Sequence, residues 1–214
     1  MVRVSEGLVR GEGAGMRRLG REGLLKESLS ALAEDSQASM LEIASAIGVG
    51  RTTLYRHFGD REALVAEVAR LGARRFGRAV LDARPESGTG LEAVERMCER
   101  LFTLPEVLTL MFADDPIVTD DAFAEAAPDG SDDDVLEWVI ARGQADGSIT
   151  EEVPVTWAAM YIFLTIGSGH LFGVSGDSAE PERRRRALEL TIRAVRKALA
   201  ADSAAHATEG AAAG

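Results

Sequence analysis

The chain has 214 residues, six prolines, one cysteine and no strand-like alternating stretch, enough for a small binding module plus one further, mostly helical domain. The lone cysteine, Cys98, excludes an intramolecular disulfide and any cysteine-based zinc cluster, and it fits a reducing cytoplasm. A net charge of −11 argues against nucleic-acid binding only until it is divided: residues 1–80 hold 13 basic and 10 acidic side chains, the remainder 11 and 25. A cationic first third therefore precedes a strongly acidic body, and local field, not total charge, attracts a duplex.

Residues 1–15 contain no apolar core of signal-peptide length and read as a disordered arm. The spacing predicts a first helix over 16–34, with Leu25, Leu29 and Leu32 on one stripe and Leu24 beside it. Ser39 followed by Glu42 is a capping box that opens a second helix, in which Ile43, Ala44 and Ile47 share a face. Gly48, Val49 and Gly50 break it with a turn suited to φ > 0. A third helix follows over 51–58, anchored by Leu54 and Phe58 and ringed by Arg51, Thr52, Thr53, Tyr55, Arg56 and His57. Two short helices across a glycine-bearing turn form a helix-turn-helix, whose second helix enters the DNA major groove.

The run from Ile43 to Leu64, IASAIGVGRTTLYRHFGDREAL, resembles the signature of TetR-type transcriptional regulators. Ile43, Ala44, Gly48, Val49, Thr53, Leu54, Tyr55, His57, Phe58, Arg61, Glu62 and Leu64 fall on matching positions. Gly50 departs from the usual serine, and Asp35, Ser36 and Gln37 stand where a glycine pair is common. The resemblance implies that Tyr55, His57, Ser39 and Arg61 hold phosphates. Arg51, Thr52, Thr53 and Arg56 are the candidates for base edges, because arginine reads guanine bidentately and the threonine methyl suits thymine.

Asp60 caps a long fourth helix to Ala83 that connects two domains, with Gly72 and Gly77 inside it as candidate hinges. A turn-forming linker, 84–90, leads to a helix over 91–104 that carries Leu91, Val94, Cys98 and Leu101, with Met97 and Phe102 flanking. Pro105 opens a helix to Ala113. Residues 114–134 hold nine acidic and no basic residues. With neither EF-hand spacing nor a histidine partner, they read as a solvated loop with a short helix. A helix over 134–145 follows, expected to bury Val135, Leu136 and Val139, with Trp138 a further candidate.

Residues 153–176 carry no charge apart from any on His170. That length meets the membrane-span criterion, but Thr156, Thr165, Ser168 and several glycines favour a helix buried between its own domain and a partner. After Pro181, Leu188, Ile192, Val195 and Leu199 recur at the spacing of a two-helix seam. These helices predict a homodimer through a four-helix bundle, with Gly167, Ser168 and the four seam residues at the interface. Residues 201–214 read as a disordered tail.

The expectation is an all-α protein: an N-terminal helix-turn-helix domain (16–62) and a helical ligand-binding and dimerisation domain (63–200), joined by helix 60–83. The resemblance further implies a cytoplasmic repressor on a roughly palindromic operator in double-stranded DNA, released by a small-molecule effector. Met97, Leu101, Phe102, Trp138, Trp157 and Tyr161 are candidate pocket walls. An activator or a protein-binding adaptor is the alternative. No nucleophile elbow, P-loop or paired metal ligands appear, so neither an enzyme nor a metal or other cofactor is expected.

Overall fold

The structure, a computed structural model, describes residues 19–126, 135–175 and 181–201. They form ten helices and no strand, only an isolated bridge between Ile149 and Ala200. The expected arm, the start of the first helix, part of the acidic stretch and the tail beyond Ala201 lie outside the described residues.

Helix α1 (Arg21–Glu34) buries Leu24, Leu25, Leu29 and Leu32. Helix α2 (Met40–Ala46) begins with the capping box complete: Glu42 N–H donates to Ser39 Oγ at 3.3 Å, and Ser39 N–H donates to Glu42 Oε2 at 2.8 Å. Helix α3 spans Arg51–Phe58, and α4 spans Arg61–Asp82, its start capped by Asp60 accepting from Ala63 N–H at 2.8 Å. Helix α5 (Gly90–Leu101) has a second capping box, Thr89 with Glu92. Helices α6 (Pro105–Met111), α7 (Asp120–Ala126) and α8 (Val135–Ala145) lead to two long ones, α9 (Val155–Val174) and α10 (Pro181–Leu199).

Two apolar clusters hold these helices. One unites α1, α2, α3 and the first part of α4 with Val107 and Leu110 of α6 and Val118 beyond it. The other unites the end of α4 with α5, α8, α9 and α10. Phe76, Leu104 and Met111 touch both. The packing boundary thus falls inside α4, not at its start, and α6 belongs in part to the first cluster.

Glycines set the closest approaches. A Cβ on Gly90 would lie 2.2 Å from Gly143 Cα, so α5 and α8 cross backbone to backbone. A Cβ on Gly72 would lie 2.5 Å from Val118 Cγ2, and α4 runs unbroken past it. Gly72 is thus a seat for Val118, and packing explains it without the hinge expected from sequence.

Helix α9 is long and apolar enough to cross a membrane. Here it packs on α10, α8 and α6 and buries His170, which shares a 3.0 Å hydrogen bond between Nε2 and Thr109 Oγ1 of α6. Burial, with the Arg184 guanidinium beside it, lowers the His170 pKa to about 4. Cys98 is fully buried, and its thiol is pushed up to about 12 by desolvation and by Glu95 and Glu99, so it stays protonated.

The seam expected at a dimer interface closes inside the protomer. Val195 and Leu199 are fully buried in the second cluster, with Leu188 and Ile192 packed against it. Gly167 is covered by the Phe112 ring, and of the six nominated interface residues Ser168 alone is exposed. The periodicity was that of a helix pair, and α9 itself supplies the partner. On its other side α9 presents Trp157, Met160, Leu164, Leu171 and Phe172, each 47–63% exposed.

Candidate nucleic-acid interface

The turn before α3 is built from backbone requirements. Gly48 takes φ 70°, the left-handed region that favours glycine. Val49 is buried and donates its N–H to Ala44 O at 3.0 Å, pinning the turn to α2. Gly50 has φ −71° and caps α3 without a side-chain hydrogen bond. Of the pair only the first glycine takes a left-handed φ; the second has the extended backbone that a serine also adopts.

Leu54 and Phe58 face the core, at 0% and 6% exposure. The opposite face of α3 shows Arg51, Thr52, Tyr55 and Arg56 to solvent, with Thr53 and His57 partly buried on its flanks. Arg51 lies over the Tyr55 ring, 5.0 Å from its centroid, and its Nη2 donates to Tyr55 Oη at 3.3 Å. Among the described residues the Arg56 guanidinium has no hydrogen-bond or ion-pair partner. The exposed face thus mixes Tyr55 with three of the four nominated base readers, while Thr53 stands at its edge.

Ser39 is exposed at the start of α2. Its Oγ accepts from Glu42 N–H, which leaves the hydroxyl proton free to donate to an anion. Arg61 is partly buried and engaged by the protein: Nε donates to Ala38 O at 2.9 Å and Nη2 to Ser36 O at 2.7 Å. Its guanidinium clamps the α1–α2 turn that presents Ser39, a task the resemblance did not imply.

Arg21, unremarked in the sequence, pairs with Glu67 and lies over the Phe58 ring at 5.1 Å. It ties α1 and α4 to the end of α3, and with the ionic partners 46 positions apart no local pattern announces it.

The six nominated pocket residues do not gather around one cavity. Met97 and Leu101 are buried in the second cluster with Phe102 packed against it, whereas Trp138 and Trp157 are half exposed. Tyr161 stacks on Trp157 at 5.3 Å and donates to Ala194 O at 3.3 Å. Aromatic content signalled apolar contact but not direction. An apolar cavity of about 60 Å³ lies elsewhere, between α4, α7 and α8, walled by Phe76, Gly77, Val80, Phe123 and Val135. Phe123 meets Phe76 edge-on at 5.3 Å.

Residues 36–68 match the model of the bacterial regulatory proteins of the tetR family. Over 157 residues the chain is 27% identical to the HTH-type transcriptional repressor LfrR of Mycolicibacterium smegmatis, covering 73% of this chain and 80% of that protein. The crystal structure of LfrR in complex with proflavine superposes with a TM-score of 0.62 at 23% identity, covering 82% of this chain and 93% of that one. The ketosteroid transcriptional regulator KstR2 of Mycobacterium tuberculosis gives 0.68 at 16% identity, over 88% and 99%. FadR of Bacillus subtilis, solved with stearoyl-CoA, gives 0.59 at 18%, over 79% and 96%. These likenesses share the all-helical fold.

Proposed function

This chain belongs to the TetR family of bacterial regulatory proteins, and on that premise we propose that it works in the cytoplasm as a homodimeric repressor of a roughly palindromic operator, released by a small effector. The observation that carries the reading is the exposed face of α3, where Arg51, Thr52, Tyr55 and Arg56 project from a helix held by Leu54 and Phe58. Arg51 and Arg56 read bases with Thr52, while Ser39, Tyr55 and His57 hold phosphates and Thr53 contacts the groove wall. The outer face of α9 forms the dimer, because two copies bury Trp157, Met160, Leu164 and Leu171 that one copy leaves in water.

The effector enters at the small cavity between α4, α7 and α8, which must widen to admit it. Widening moves α4, the helix that carries both clusters, and so alters the spacing of the two α3 helices. An effector of this kind acts only through its different affinity for the two spacings. The Phe76 and Phe123 walls and the acidic body support a cationic or neutral aromatic effector. The relative LfrR was crystallised with proflavine, in keeping with that class.

Fluorescence anisotropy with duplex DNA from upstream of the chain's own gene tests the reading. Arg51→Ala is expected to relax preference at one base position, and replacing the contacted pair should cost the wild type roughly 1–3 kcal/mol. Equal affinity of wild type and Arg51→Ala for every operator variant would remove α3 from base recognition.

A further inference from the structure

A second cationic surface lies where α4 meets α5, away from α3, and draws on arginines from both sides of residue 80. Along α4 and α5 a continuous groove opens in two sections that share Asp82, Arg100 and Thr103. One section, about 780 Å³, follows the α4–α5 turn; the other, about 330 Å³, runs back along α4. Arg74, Arg75, Arg78, Arg84, Arg96 and Arg100 line the two sections against two carboxylates, Asp82 and Glu99. The groove therefore holds an excess of four positive charges on a chain whose net charge is −11.

Internal pairing does not account for these cations. Arg78 is bound to Asp82 at 3.0 Å. Arg96 donates to the carbonyls of Ala83, Arg84 and Ser87, which also offsets the negative end of the α4 dipole. The guanidinium groups of Arg74, Arg75, Arg84 and Arg100 have no partner among the described residues.

The backbone gives an independent sign. Arg84 has φ 53°, the one positive value at a non-glycine among the described residues. It follows the C-cap of α4, Ala83, where glycine is the low-strain choice. The turn thus keeps a strained arginine in the groove, and Arg96 braces it from below.

Arginine's planar fork matches phosphate oxygens bidentately. From Arg74 to Asp82 the α4 side of the groove runs about 12 Å at the helical rise, longer than one phosphate and on the scale of a nucleotide. Leu81, 47% exposed, adds an apolar shoulder beside Arg84 and Arg100. We propose that this groove binds a nucleotide-type phosphoanhydride, its phosphates held by Arg84 and Arg100 and its apolar part against Leu81. The site is separate from α3 and does not depend on the operator reading.

Isothermal titration of the full chain with ADP, at ionic strength matched with sodium chloride, tests the site. Wild type is expected to bind saturably, and Arg100→Ala and Arg84→Gly each to weaken binding about tenfold, the loss of one charge-assisted pair. Arg84→Gly also relieves the left-handed strain, so its thermal midpoint should equal or exceed that of wild type. Any loss of binding in that variant is then not a loss of fold. Arg56→Ala on α3 should leave ADP affinity unchanged. Absence of saturable ADP binding to the wild type, or unchanged affinity in Arg84→Gly, would leave the groove a set of solvated arginines and overturn the proposal.

Discussion

Ser39 and Arg61 meet at one turn from opposite sides. Ser39 spends its lone pairs on Glu42 N–H and keeps its proton, whereas Arg61 spends two donors on the carbonyls of Ser36 and Ala38. Two partly exposed charge-assisted bonds are worth about 2 kcal/mol together. Urea unfolding of Arg61→Ala should show that loss, and DNA affinity should fall alike for all sequences because the turn that presents Ser39 loosens. Unchanged stability with reduced affinity would return Arg61 to direct phosphate contact. His170 makes a pH prediction: its folded pKa, about 4, lies below the unfolded value near 6.5. The unfolded chain therefore takes up a proton that the folded chain refuses. The stabilisation is whole above pH 6.5 and is lost as pH falls from there to about 4, amounting to about 3 kcal/mol. His170→Gln should flatten this part of the stability curve measured by urea titration, and an unaltered slope would contradict it.

At the scale of elements, local patterns were legible and partners were not. The capping box of α2, the Leu54 and Phe58 anchors of α3 and the glycine turn are set by residues within a few positions of one another. So are the bounds of α3, which match the sequence expectation. The cap of α5 was equally local, since Thr89 and Glu92 have the same spacing as Ser39 and Glu42, yet it lay inside a stretch read as linker. The α10 stripe was visible, but periodicity does not say whether the facing helix belongs to the same copy. Trp138 and Trp157 were legible as apolar and not as exposed. Long-range contacts such as Gly90 against Gly143 leave no sequence trace at all. That crossing yields a prediction: Gly90→Ala must drive α5 from α8, because its Cβ meets backbone and not a yielding side chain. The expected cost is about 3 kcal/mol, at the upper end for overpacking, read as a fall in the thermal midpoint. A midpoint equal to wild type would show that the two helices separate freely.

Over the whole molecule, charge and apolar surface divide the labour. The cationic first third carries α3, the body beyond residue 80 is acidic apart from the arginines at the α4–α5 groove, and the outer stripe of α9 is the apolar face one copy leaves uncovered. Leu164→Asp places a charge in the middle of that stripe and should give a folded monomer by light scattering with weakened operator binding. Operator recognition by this chain requires two α3 helices to read DNA together. Selection of duplexes from a randomised library by the full chain measures this directly. The predicted result is an enriched inverted repeat whose half-site centres lie about one helical turn, 34–36 Å, or a multiple of it apart, and enrichment that fails for Leu164→Asp. No enriched sequence, or a single half-site bound equally well by Leu164→Asp, would contradict it.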